Sequence, residues 1–130
     1  MIDLKTKKYI QTNLNIQEII FITKNINITY KNNTGIIFGC FKNQIEHNQK
    51  IIIIISIITV IILLIILHKN KNTNNIGYIL IISGILGNLL DRLVNKSVID
   101  FIDLHINNYH FPTFNISDIS IFIGTNLIIL

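Results

Sequence analysis

The chain holds one cysteine, Cys40, so no internal disulfide can form, and no Cys-x-x-Cys or Cys/His pattern of zinc-ligand spacing is present. Flanked at short range by Phe38 and Phe41, the lone thiol reads as a small apolar residue rather than a nucleophile. Tryptophan is absent, and Pro112 and Arg92 are the only residues of their kinds. His47, His68, His105 and His110 stand at no metal-ligand spacing, so a metal site is not expected. The net charge is +4, but the lysines are scattered rather than interleaved with aromatics on one patch, which argues against a nucleic-acid partner. Met1 to Gln11 lacks the apolar core of a secretory signal peptide.

Charged residues make up 14% of the 130, against roughly a quarter in ordinary soluble domains. Half the residues are hydrophobic, and the mean hydropathy is +0.54. The length suits one domain, 1–130, and a domain this small buries too little surface to hide so much Ile and Leu from water. The excess is expected to face lipid. Ile and Asn are so over-used that the sequons Asn27-Ile-Thr29 and Asn115-Ile-Ser117 carry no weight.

The clearest membrane span is 51–67, with no charge, Gly or Pro. As a helix it is roughly 25 Å long, close to a bilayer's hydrocarbon thickness. Its β-branched residues would suit a strand in water, but a lone strand in lipid leaves backbone groups unpaired, so a helix is expected. Ser56 and Thr59 can bond back to the preceding turn. A second span is expected at 76–90, where Gly84 and Gly87, with Ser83, form a small-residue surface suited to close helix packing. A third, short for a span, is expected at 116–130. The basic segment from His68 to Asn75 should be cytoplasmic. Asp91–Asn115 and the chain before Ile51 are then outside, although Lys24, Lys31, Lys42 and Lys50 in the latter dilute the charge contrast. Residues 18–40 read as an extracytoplasmic β cradle: Ile20 and Ile22, then Ile26, Ile28 and Tyr30, alternate with polar residues, and Asn32-Asn33-Thr34-Gly35 is a turn signal.

Charges at a membrane edge are functional candidates by default. Asn88, Asp91 and Arg92 lie within about a turn of one another, with Asn88 and Arg92 on one face. Asp100 and Asp103 stand three apart on an apolar stretch, which reads as an interfacial amphipathic helix. Asn115 is placed as the N-cap of the last span, with Asp118 as its third helical residue. Capping and a solvated face would account for these residues structurally. The sharper reading pairs Asp118 with an acid of the preceding loop. Two carboxylates held close share a proton, and can hydrolyse a peptide by general acid-base catalysis without a covalent intermediate. Spacing leaves open whether Asp100 or Asp103 is the partner.

These blocks, in this order, resemble the bacterial lipoprotein signal peptidases (signal peptidase II). Asn33-Thr34-Gly35-Ile36-Ile37-Phe38 resembles the family's Asn-Thr-Gly-Ala-Ala-Phe. The stretch from Gly84 to Arg92 matches its Gly-x-x-Gly-Asn-x-x-Asp-Arg, Val98 to Phe101 its Val-Val-Asp-Phe, and Phe111 to Asp118 its Phe-x-x-Phe-Asn-x-Ala-Asp. Asp3 and Lys7 resemble an Asp-Gln-x-x-Lys motif of the first helix, with Leu4 in the glutamine's place. The resemblance implies an all-α polytopic membrane protein with four transmembrane helices, a small extracytoplasmic β cradle and an interfacial helix, the first helix here being largely missing. It implies Asp100 and Asp118 as catalytic dyad, with Asn33, Gly35, Asn88, Asp91, Arg92 and Asn115 binding substrate or supporting the site, and no metal or cofactor. The implied partners are prolipoprotein signal peptides bearing a diacylglyceryl-cysteine, cut just before that cysteine, and membrane lipid. The implied place is the bacterial inner membrane, with the site at the extracytoplasmic face.

Ile36, Ile37 and Ser117 stand where the family carries alanine. An inactive relic or membrane scaffold of the same fold is the alternative, and the retention of both acids argues against it. A small channel would place its acids near the bilayer midplane, whereas these stand at the ends of spans.

Overall fold

The computed structural model describes residues 2–35, 45–69 and 75–130. The expectations for Cys40, for the cradle beyond Gly35 and for most of the basic segment after Lys69 lie outside the described residues.

Among the described residues, four helices and one sheet follow in the order α1 (Ile2–Asn13), β1 (Ile19–Thr23), β2 (Ile26–Asn33), α2 (Ile45–Lys69), α3 (Ile76–Asn95), β3 (Val98–Ile106), β4 (Tyr109–His110) and α4 (Ile116–Ile129). The 51–67 run lies wholly inside α2, and Thr59 donates back to the carbonyl of Ile55 at 2.8 Å. The α2 surface is lined with exposed isoleucines such as Ile54, Ile58 and Ile62. Two described helices, His47–Lys69 and Ile76–Asn95, are long and apolar enough to cross a membrane. The apolar α4 is shorter, at 14 residues.

α3 packs most extensively on α4, through small residues. A Cβ on Gly124 would stand 2.6 Å from the carbonyl oxygen of Gly77, and one on Gly87 would strike the Ser117 hydroxyl. Such close backbone approach is how helices associate where no hydrophobic effect draws them together.

The sheet is antiparallel, with order β1-β2-β3-β4. The hairpin turns at Lys24-Asn25, while Asn32 and Asn33, expected in a turn, stay in β2. Ile10 of α1 and Leu14 just after it form a small core with Tyr30, Ile99 and Phe101 of the sheet.

Two expectations are corrected. Val98 to Leu104 does not form an interfacial helix: it is β3, paired along β2 and bridged on its other side to Phe114. Its β-branched and aromatic residues suit a pleated surface, and ladder partners on both sides satisfy a backbone that a helix would have satisfied alone. The fold is helices plus a four-stranded sheet rather than all-α. The first helix, expected to be largely missing, is a short one of 12 residues with Asp3, Lys7 and Ile10 buried.

Candidate active site

Strand β3 leaves α3 just after Asn95 and carries Asp100 back beside the start of α4. Asp100 is 3% exposed. Its two carboxylate oxygens are held separately: Asn115 Nδ2 donates to Oδ1 at 2.8 Å, and Asn33 Nδ2 donates to Oδ2 at 2.9 Å.

Asn33 reaches Asp100 because of an irregularity in β2. Ile28 pairs with Ile102, but the next partner of β3, Asp100, faces Lys31, so β2 carries one extra residue between them. A bulge of this kind turns the residues beyond it to the other face of the sheet. Without it, Asn33 would share the face of Asn27 and Thr29. Beyond Asn33 the chain turns at Gly35, whose φ of +72° suits glycine, and the Gly35 N–H donates to Asn33 Oδ1 at 2.8 Å. Gly35 thus orients Asn33.

Asp118 is set by a capping box. Asn115 Oδ1 accepts from the Asp118 N–H at 3.0 Å, and Asp118 Oδ2 accepts from the Asn115 N–H at 3.1 Å. The other oxygen, Oδ1, accepts from Asn88 Nδ2 at 2.8 Å. Asn115 is fully buried and bonds to both acids, its Oδ1 serving the backbone of one and its Nδ2 the carboxylate of the other.

Behind these lies a relay of buried charge. Lys7, 1% exposed, places its ammonium 3.0 Å from Asn88 Oδ1, 2.7 Å from Asp3 and 2.8 Å from Asp91. Asn88 can therefore present only its amide to Asp118. Asp91 does not touch either candidate catalytic acid; it pairs with Lys7 and accepts weakly, at 3.5 Å, from the Ile99 N–H of β3. Asp3 accepts from the Ser117 N–H at 3.0 Å, fixing the first turn of α4. Arg92 donates to the Asn88 carbonyl at 3.4 Å and lies within electrostatic reach of Asp91, Asp100 and Asp118. Four acids (Asp3, Asp91, Asp100, Asp118) share two cations (Lys7, Arg92). Full ionisation would leave uncompensated negative charge in a buried place, which favours retention of a proton.

Asp100 shows this. Burial raises its pKa from 3.8 to about 6; hydrogen bonds from Asn33 and Asn115 oppose the rise, the charge of Asp118 adds to it, and Lys7 offsets part. Asp103 is held elsewhere. Also buried, it accepts from Asn27 Nδ2 at 3.1 Å and meets His110 Nδ1 at 2.9 Å. Pleat alternation puts Asp103 and Asp100 on opposite faces of β3.

Two kinds of cleft meet at the acids. One of about 570 Å³ opens over Asp100 and is lined by Lys31, Asn33, Tyr109, Phe111 and Pro112 among others. Another, about 640 Å³ and almost wholly apolar, has Asp118 in its wall with Leu104, Phe114, Ile119 and Phe122. All the site residues read from the sequence fall in this region, with Asp91 and Gly35 acting at one remove. Absent from that set were Lys7 and Asp3 as parts of the site. The four-residue spacing of an acid and a base on a weakly apolar helix was their sequence signal.

The signal peptidase (SPase) II family model matches residues 1–130. Relatives named lipoprotein signal peptidase include proteins of Wigglesworthia glossinidia brevipalpis, 45% identical over 99% of this chain and 85% of theirs, and Buchnera aphidicola, 42% identical over 99% and 82%. The protein of Blochmanniella pennsylvanica is 36% identical over 98% and 79%. A solved bacterial membrane enzyme superposes with a TM-score of 0.85 at 35% identity, covering 98% of this chain and 83% of that one. The chain therefore belongs to the signal peptidase II family, as a membrane protease that removes signal peptides from prolipoproteins.

Proposed function

We propose that Asp100 and Asp118 are the catalytic dyad, acting as an aspartyl endopeptidase that cuts just before a diacylglyceryl-modified cysteine. The observation that carries this is Asn115, buried and hydrogen-bonded to both acids. It holds the two side chains in register while leaving their remaining lone pairs for water and substrate. With one proton between them, the ionised acid takes a proton from water as it attacks the scissile carbonyl. The protonated acid hydrogen-bonds the carbonyl oxygen, and the departing amine leaves protonated. Asn33, Asn88, Arg92 and Asn115 orient the acids and the peptide, while Asp91 and Gly35 act through Lys7 and Asn33.

The apolar cleft along Leu104, Phe114, Ile119 and Phe122 suits an acyl chain or the apolar core of a signal peptide, and the more polar cleft over Asp100 suits the peptide around the cut. We read the chain as a single membrane-embedded peptidase domain, 1–130, with spans at 51–67, 76–90 and 116–130 and α1 as a fourth, shortened helix. Asp100 lies on β3, which follows α3, and Asp118 in the first turn of α4. With the basic sequence from His68 to Asn75 read as cytoplasmic by the positive-inside rule, the dyad is taken to face the extracytoplasmic side of the bacterial inner membrane. This chemistry calls on no metal or cofactor, and the partners are the lipid-modified precursor and membrane lipid, not nucleic acid.

The test offers the purified chain a diacylglyceryl-modified prolipoprotein and its unmodified counterpart. Cleavage of the first alone, yielding a product that begins at the modified cysteine, supports the reading. Equal cleavage of both, or a cut elsewhere, overturns it.

A further inference from the structure

On the face of β3 opposite Asp100, three metal-ligating side chains converge, one of which, His110, also borders the cleft over Asp100. Asp103 and His105 stand two apart on β3 and so share a face, while His110 of β4 is the direct cross-strand partner of His105. One donor atom from each lies within 4.8 Å of the others. The two imidazoles stack with centroids 4.9 Å apart and planes 20° from parallel. His110 Nδ1 lies 3.0 and 2.9 Å from the two oxygens of Asp103.

We propose that Asp103, His105 and His110 form a binding site for a zinc-type divalent ion, bridging β3 and β4. Two imidazoles and one carboxylate are a donor set for borderline divalent ions, leaving positions open for water. The ion binds each ligand in its deprotonated form, so any proton held by these groups is released to solvent on binding. The surroundings are those of a supported ligand set. Asp103 is 2% exposed, and Asn27 donates to its Oδ2 at 3.1 Å, which orients the carboxylate. His105 is anchored at its backbone, where its N–H donates to the Asn25 carbonyl at 3.0 Å and its carbonyl accepts from Asn25 Nδ2 at 2.9 Å. His110 is the most exposed of the three, with its side chain 48% exposed, which leaves the set open to an ion from solvent. Residue spacing concealed this: three donors at i, i+2 and i+7 match no familiar metal pattern, and only the β3–β4 pairing brings the third to the first two.

Occupancy would tie β4 to β3 next to Tyr109 and Phe111, which wall the cleft over Asp100. The ion is separate from the dyad and takes no part in peptide hydrolysis.

The test uses the full chain in detergent, stripped with a chelator, titrated with Zn²⁺ against a chromophoric competitor and with Co²⁺ as a spectroscopic probe. One equivalent should bind. His105→Ala and His110→Ala should each weaken binding by about tenfold or more, and Asn27→Ala by about tenfold through the carboxylate it orients. His47→Ala and His68→Ala, on the exposed surface of α2, should leave binding unchanged, as should Asp100→Asn. The Co²⁺ d–d bands should disappear in His110→Ala. Should His105→Ala fold poorly, His105→Gln removes the imidazole while keeping a polar side chain. No stoichiometric Zn²⁺ binding, binding indifferent to both β-strand histidines, or binding lost with His47 or His68 would overturn the proposal.

Discussion

The ammonium of Lys7 lies 3.0 Å from Oδ1 of Asn88, across 81 residues of sequence, and both groups are buried. This contact decides which end of the Asn88 amide faces Asp118, and it brings α1 into the site. Lys7→Met should leave Asp3 and Asp91 buried without their cation. A loss of about 3–5 kcal/mol in folding stability is expected, the usual consequence of removing one partner from a buried ion pair. Thermal unfolding in detergent checks it. Asp91→Asn should be milder, since Lys7 keeps Asp3.

Asn115 separates structure from chemistry. Asn115→Ser retains a side-chain acceptor for the Asp118 N–H and so keeps a helix cap, but removes the amide that holds Asp100. Stability should fall by no more than about 1 kcal/mol, while cleavage falls about a hundredfold, as expected when a catalytic group is misplaced slightly. Side-by-side unfolding and cleavage assays on the one variant measure both.

Asp100 should impose a pH dependence. Its folded pKa, about 6, lies above the unfolded 3.8, so its protonated form favours the fold. The stability it contributes is full below about pH 4 and is lost as pH rises through about 6. The singly protonated dyad disappears over the same upper range, so cleavage should decline on the alkaline side with a midpoint near 6. Asn33→Ala removes a hydrogen bond that lowers this pKa, and should move the decline to higher pH. A pH–rate profile of the two proteins tests the shift and its sign.

The α3–α4 contact should tolerate no added side chain. A Cβ on Gly124 would stand 2.6 Å from the Gly77 carbonyl oxygen and 3.0 Å from the Ile81 backbone nitrogen. Gly124→Leu should cost about 1–3 kcal/mol through overpacking. Cleavage should also fall, because α4 carries Asp118 and is displaced as a unit.

Much of this was legible before any coordinates. The 51–67 run had one economical solution in lipid, and α2 contains it. Asn115 and Asp118 carried their helix-start signal in three residues, and the capping box is there. What failed to show was whatever depends on a distant partner. Asp100 and Asp103, three apart among apolar residues, fit an amphipathic helix until β2 and Phe114 supply ladders on both sides. The placement of Asn33 depends on a bulge that its own sequence does not mark. Asp3 and Lys7 stood out only through their likeness to a first-helix motif; that Lys7 also reaches Asn88 and Asp91 of α3 depends on distant packing that its own segment does not mark. The family resemblance implied Asp100 rather than Asp103; in the fold the two stand on opposite faces of β3, and Asp100 is the one that shares Asn115 with Asp118.

The most direct measurement is the single-turnover rate of cleavage of a diacylglyceryl-modified prolipoprotein by Asp100→Asn and by Asp118→Asn, each confirmed folded by its unfolding transition. Loss of acid-base catalysis should slow both by at least about a thousandfold. A rate within tenfold of the unaltered protein in either variant would contradict the dyad.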